Sequence, residues 1–97
     1  MRIVTHRRIK EFIDKHNDSK IALNEWYLRT TKASWYNLSD LKRTFNSVDY
    51  VGNERFVFNI KGNQYRLVAL IIFASQKVYI RFIGTHSEYN EIDCTSI

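Results

Sequence analysis

At Arg55 the spacing of apolar residues changes from a period near that of an α-helix to strict alternation, which commits the two halves of the chain to different secondary structure. Before it, Ile9, Phe12, Ile13 and His16 form the stripe of one helix, with Thr5 placed to cap it. His16-Asn17-Asp18 interrupts that stripe, and Ser19 can cap a second helix in which Ala22, Leu23, Trp26, Tyr27 and Thr30 share a side. A third, short helix is expected after Ser39, burying Leu41 and Phe45. Arg2 to Val4 reads as a short strand and Asn46 to Asn53 as irregular. From Arg55 through Ile83, β-branched and aromatic residues dominate. Helices followed by strands imply an α+β fold: two N-terminal helices packed on one face of a twisted antiparallel sheet of three to four strands. A chain of 97 residues holds one core, so a single domain spanning 1–97 is expected.

The strand half also predicts a register. Gly62-Asn63 suits a two-residue hairpin turn, since both residue types tolerate positive φ. Lys61 then pairs with Gln64, Asn59 with Arg66 and Val57 with Val68, while Phe56, Phe58, Ile60, Tyr65, Leu67, Ala69 and Ile71 share the face turned to the helices. A second turn around Ser75-Gln76 sets Leu70 opposite Arg81 and sends Ile80 and Phe82 to the helix side. Arg66 and Arg81 then emerge on the other face with Asn59, Lys61 and Tyr79.

The charge is uneven along the chain. Residues 1–48 hold ten Lys and Arg against five Asp and Glu, and residues 49–97 hold five against five, so the whole net charge of +5 lies in the first half. A basic surface of that kind favours an anionic partner, nucleic acid first. The single cysteine, Cys94, can form no internal disulfide and reads as an incidental thiol in a reducing compartment. Met1 to Arg8 lacks the apolar core of a signal peptide and no apolar run approaches a membrane span, which together point to a cytoplasmic protein without a membrane partner.

Two guanidiniums on one open face suit phosphate, because each offers a planar fork to two oxygens and keeps its charge at neutral pH. The bland alternative pairs them with Glu54 or Glu88. His86 lies just past the last strand, where an imidazole can move protons near neutral pH. Tyr89, three residues on, falls on the same side of one helical turn and could stack a base or, beside cations, lose its proton more readily. His6 and His16 have no companion ligands at metal spacing, and glycine-rich phosphate loops and nucleophile elbows are missing, so no metal and no cofactor are expected.

The run Phe58-Asn-Ile-Lys-Gly-Asn-Gln-Tyr-Arg-Leu67, followed by Tyr79-Ile-Arg-Phe-Ile-Gly-Thr-His-Ser-Glu-Tyr89, resembles the HigB-type toxins of bacterial toxin–antitoxin systems, a branch of the RelE-like superfamily. The resemblance extends along the whole chain. It implies a metal-independent endoribonuclease that cuts mRNA, typically within the translating ribosome, and a HigA-like helix-turn-helix antitoxin as partner, with operator DNA bound only through that antitoxin. It also implies that Lys61, Arg66, Arg81, His86 and Tyr89 form the catalytic set. Asn90 stands where related sequences often carry Asp, and Asn37-Leu38 replaces a common proline.

In such chemistry RNA supplies its own nucleophile, the 2′-hydroxyl, and the protein positions it, moves protons and stabilises charge. His86 or Tyr89 would take the 2′ proton or protonate the 5′ oxygen, Arg66 and Arg81 would hold the phosphorane-like transition state, and Lys61 would assist. Asn59 and Asn63 are expected to touch RNA, and Arg7, Arg8, Lys10 and Lys15 to grip ribosomal RNA without sequence preference. The competing reading is a noncatalytic RNA-binding module, or an inactive toxin that serves mainly as antitoxin partner and co-repressor.

Overall fold

A computed structural model describes residues 1–97. In chain order it comprises β1 (Arg2–Ile3), α1 (His6–Lys15), a single 3-10 turn (Asn17–Ser19), α2 (Lys20–Lys32), α3 (Leu38–Thr44), β2 (Asp49–Gly52), β3 (Arg55–Ile60), β4 (Tyr65–Ile72), β5 (Lys77–Thr85) and α4 (His86–Tyr89). The five strands form one sheet in the order β1-β5-β4-β3-β2. All pairs are antiparallel except β1 with β5, which is parallel.

The fold class is α+β as expected, but the strand count of three to four and the purely antiparallel pattern are corrected to five strands in a mixed sheet. The added strand β2 lies in the stretch expected to be irregular. It is an exposed edge strand with Asp49 and Tyr50 facing solvent, so no apolar alternation announces it. α3 begins at Leu38, not after Ser39, because the Asn37 side chain accepts the Asp40 N–H at 2.9 Å and caps it. Thr5 and Ser19 precede their helices without capping them. The Thr5 hydroxyl accepts the Ile80 N–H at 2.7 Å, and the Ser19 hydroxyl donates to the His16 carbonyl at 2.7 Å.

The core lies between the helices and one face of the sheet. Ile9 and Phe12 of α1, Leu23 and Trp26 of α2 and Leu41 of α3 pack on Phe56, Phe58, Ile60, Tyr65, Leu67, Ala69, Ile71, Val78 and Ile80. Each such side chain contributes roughly 1.5–3 kcal/mol by leaving water. Trp26 and Phe45 both meet Phe58 edge-on, with centroids 5.4 and 5.3 Å apart. The face assigned from alternation in β3 and β4 is therefore the face that packs.

The first hairpin keeps its predicted register: Val57 pairs with Val68 and Asn59 with Arg66. Its positive φ angles fall on Lys61 (54°) and Gly62 (64°), one residue earlier than expected, and the Gln64 N–H closes the turn on the Lys61 carbonyl at 3.2 Å.

The second hairpin departs from expectation. Its loop is Phe73 to Gln76, so Leu70 faces Tyr79 and not Arg81. Ile80 pairs with Ala69 on the helix side, but the next pair is Val68 with Phe82, and Arg81 is left over as a bulge. Beyond the bulge the parity reverses. Phe82, expected in the core, shares the outer face with Val68, and Ile83 takes the core side opposite Leu67. Alternation from Ile80 still carries Arg81 outward.

Candidate functional site

The outer face of the sheet carries Asn59, Arg66, Val68, Arg81, Phe82 and Gly84, and α4 closes one end of it. Arg66 and Gly84 are cross-strand partners, so the chain leaves β5 directly beside Arg66 and turns into α4 one residue later. That turn is held by its own side chains. The Thr85 hydroxyl accepts the Glu88 N–H at 3.2 Å, and the Glu88 carboxylate accepts the Thr85 N–H at 2.8 Å, a reciprocal capping box. The second bond holds the Glu88 carboxyl below the usual carboxylate range, with burial opposing it. Thr85-x-x-Glu88 is legible in the sequence and was the signal that sequence reasoning passed over.

The capped turn brings Tyr89 under Arg66, whose guanidinium carbon lies 5.1 Å from the ring centroid. Arg66 is half-buried, its Nε is buried without a hydrogen-bond partner, and no carboxylate pairs with it. The alternative pairing to Glu54 or Glu88 is absent for Arg66 and for Arg81, since Glu88 is spent on its capping box. Asn59, across the ladder from Arg66, likewise keeps Oδ1 buried and unpartnered.

The Tyr89 phenol does not lose its proton more readily. Burial first, and then its hydrogen bond to the Cys94 sulfur at 3.6 Å, push it up to about 12 against the smaller opposing pull of Arg66. Cys94 is thus a neighbour of Tyr89. The segment carrying it runs back along the outer side, where the Ile97 carbonyl accepts from Arg55 Nε and Nη2 at 3.0 and 2.6 Å and the Thr95 carbonyl accepts from Asn53 at 3.1 Å.

His86 opens α4 and is exposed, with Nδ1 3.4 Å from the Asn90 side-chain nitrogen. Asn90 was noted only as a departure from related sequences, and here it is the polar neighbour of the imidazole. Arg81 is exposed on the outer face, while its carbonyl points to the sheet edge and accepts from Arg8 Nη1 at 3.0 Å. Arg66 and Tyr89 are therefore in contact, while Arg81 stands exposed at the bulge of β5 and His86 exposed at the start of α4.

Lys61 is not among them. Its ammonium lies 2.9 Å from the Asp18 carboxylate, which also accepts the Tyr65 hydroxyl at 2.6 Å, so the lysine leans to the helix layer. The two bonds lower the Asp18 carboxyl, Tyr65 contributing most, and the same carboxylate raises the Tyr65 phenol. The expectation that Lys61 shares a face with Arg66 fails because a turn residue follows the carboxylate within reach, and Asp18 is 43 positions away in sequence. Asn63 stays exposed at the hairpin tip. Arg7, Arg8 and Lys15 line a cleft between α1 and the end of β5, and Lys10 lies on another side of α1. No three His, Cys, Asp or Glu side chains come together as a metal cradle, and no helix is long and apolar enough to cross a membrane.

A guanidinium with no ion-pair partner lying over a phenol, with a second exposed guanidinium on the same face, can receive an anion, and the relatives agree in kind. A family model described as the RelE-like toxic component of a toxin–antitoxin system matches residues 19–92. The mRNA interferase toxin HigB of Escherichia coli (strain K12) is 34% identical over 93 residues, covering 93% of this chain and 88% of that one. The mRNA interferase HigB of Escherichia coli O6:H1 (strain CFT073) is 22% identical over 94 residues, covering 95% and 91%. On that match, this chain belongs to the HigB family of RelE-like toxins.

Proposed function

We propose that this protein is the toxin of a toxin–antitoxin pair and an endoribonuclease that cuts mRNA, with Arg66, Arg81, His86 and Tyr89 as its working residues. The observation that carries the reading is Arg66: a half-buried guanidinium over Tyr89 with no anion of its own. A desolvated, uncompensated charge is costly, and a phosphate brought against it removes that cost. The names of the relatives supply the substrate class.

In the proposed reaction the RNA 2′-oxygen attacks the adjacent phosphorus, its proton passes to a base, and the bond from phosphorus to the 5′-oxygen breaks as that oxygen receives a proton. The products are a 2′,3′-cyclic phosphate and a 5′-hydroxyl. Arg66 and Arg81 hold the equatorial oxygens where charge gathers. A phenol pushed up to about 12 keeps its proton at neutral pH, which supports giving proton transfer to His86 and leaving Tyr89 to donate a hydrogen bond or stack a base. Lys61, engaged by Asp18, is left outside the reacting set. The messenger is presented on the translating ribosome, and a HigA-like antitoxin neutralises the protein and carries any contact with operator DNA.

Arg66→Ala tests this. Cleavage of ribosome-bound message should fall about a hundredfold or more while the fold persists, the size of loss seen when one transition-state donor is removed. A loss of affinity alone would mean a noncatalytic RNA-binding module, and a 5′-phosphate at the cut end would refute the chemistry.

A further inference from the structure

The outer face accounts for Arg66 and Arg81, whereas for the basic first helix only a nonspecific grip on ribosomal RNA is expected. We propose that the cleft between α1 and the end of β5 holds the same RNA strand as it leaves the cutting site, so that substrate runs around the open edge of the sheet in one continuous track. This rests on the reading that the outer face cuts RNA.

The edge itself permits it. β1 covers β5 only at Lys77 and Val78, and the last strand-like bond is from the Val4 N–H to the Val78 carbonyl at 3.0 Å. Past that point α1 seals the edge instead of a strand, through Thr5 on the Ile80 N–H and Arg8 on the Arg81 carbonyl. No further strand is needed to satisfy those groups. What α1 adds beside the edge is a cleft of about 500 Å³ walled by Arg7, Arg8, Lys15, His16, Glu11 and Glu88.

Three features favour a nucleic acid strand there. No carboxylate lies at ion-pair distance from Arg7, Arg8, Lys15 or His16, and the three Lys and Arg outnumber the two carboxylates of Glu11 and Glu88, so the lining carries a net positive charge. The His16 ring stacks on Phe12 with centroids 4.4 Å apart, which holds a flat, half-exposed imidazole in the wall, the kind of surface on which a splayed base rests. The cleft also shares its parts with the cutting site: Arg81 turns its carbonyl to one and its side chain to the other, and in α4 Glu88 lines the cleft while Tyr89 carries Arg66. An acidic protein segment would want an apolar seat as well, and Phe12 and Ile83 are the only apolar residues in the lining.

The test uses the full chain and 2′-O-methyl RNA of three and of ten nucleotides, which binds without being cut. Affinity is read by fluorescence anisotropy across a salt series. Arg7→Ala combined with Lys15→Ala should weaken the ten-nucleotide RNA by tenfold or more, lower its salt slope by about 1.4 for two lost phosphate contacts, and leave the three-nucleotide RNA unchanged. Lys32→Ala combined with Lys42→Ala removes the same charge from exposed positions outside the cleft and should change neither. Equal losses in the two double variants would mean diffuse attraction and overturn the proposal. So would an unchanged affinity for the longer RNA, and weakened binding of the antitoxin in that case would make the cleft a protein-docking surface. If the track fails while Arg66→Ala still abolishes cutting, only this inference falls. If Arg66→Ala is silent while the longer RNA still needs Arg7 and Lys15, the nuclease reading falls and the track stands as a plain RNA-binding site.

Discussion

Arg66 and Leu67 are consecutive residues of one strand, yet they inhabit opposite environments. Leu67 is fully buried among the aromatic rings beneath the helices, where the unpartnered polar atoms, Trp26 Nε1 and Thr30 Oγ1, are uncharged. One residue away, Arg66 stands half-buried with an unpartnered Nε, beside an Asn59 whose oxygen is equally unpartnered. The same backbone thus presents a face that gives the fold its stability and a face that spends some of it. On the outer face the unpartnered atoms are Arg66 Nε and, across the ladder, Asn59 Oδ1, a guanidinium and an amide side by side where a ligand could complete their bonding.

That contrast can be broken by substitution on either face. Leu67→Ala should cost about 2–5 kcal/mol of stability in chemical denaturation, whereas Arg66→Ala should leave the unfolding midpoint unchanged or raised while cleavage collapses. Equal destabilisation by the two would mean that the outer face is merely a second core.

Gly84→Ala is the next largest effect. A Cβ there would stand 2.4 Å from the Phe82 ring and 3.0 Å from the Glu88 carboxylate. Overpacking of this kind costs about 1–3 kcal/mol, and here it should also displace α4 and reduce cutting. A variant that is destabilised but fully active would separate α4 from the site.

The two tyrosines sharpen the contrast by pH. Both phenols are raised, Tyr65 by the Asp18 carboxylate on the helix side and Tyr89 chiefly by burial on the outer side. A raised phenol holds its proton more tightly in the folded state, so its contribution is complete below the ordinary tyrosine value and is lost as pH climbs from about 10 towards the folded value. Tyr89→Phe should therefore lessen the alkaline loss of stability up to pH about 12 without adding or removing a limb in the cleavage profile between pH 6 and 9. A new limb in that range would show that the phenol titrates in catalysis.

The smallest effect is expected at Asp18. Its carboxyl is lowered by Tyr65 and then Lys61, so it stabilises the fold above the ordinary carboxylate value and that contribution is lost as pH falls through the depressed one. Asp18→Asn should flatten the acid limb of the stability profile below pH about 4 and leave cleavage untouched. A fall in cleavage would return Lys61, the residue that Asp18 holds, to the reacting set.

How much of this was legible follows from where information is stored. The β3–β4 hairpin could be read because the Gly62-Asn63 turn fixes its register and Asn59 and Arg66, the polar residues facing each other across it, mark the outer face. The β4–β5 hairpin could not, because Ile80, Phe82 and Ile83 are all large and apolar, and nothing in their order says which of them crosses the sheet. β2 was hidden by its exposure, and the true cap of α3 was one of two equally suitable residues, Asn37 and Ser39. That Arg66 would meet Tyr89 was foreseeable from β4 and the motif after β5, and the departure of Lys61 depended on a carboxylate far away in sequence.

β5 has nine residues and only eight ladder partners, and the surplus one is Arg81. Every other position in that strand must answer to the residue across from it, so its side chain is chosen by the scaffold. Position 81 answers to nothing in the ladder. Its side chain can change with every ladder pair kept in place, which leaves position 81 answerable to what comes to the outer face and to no strand across from it.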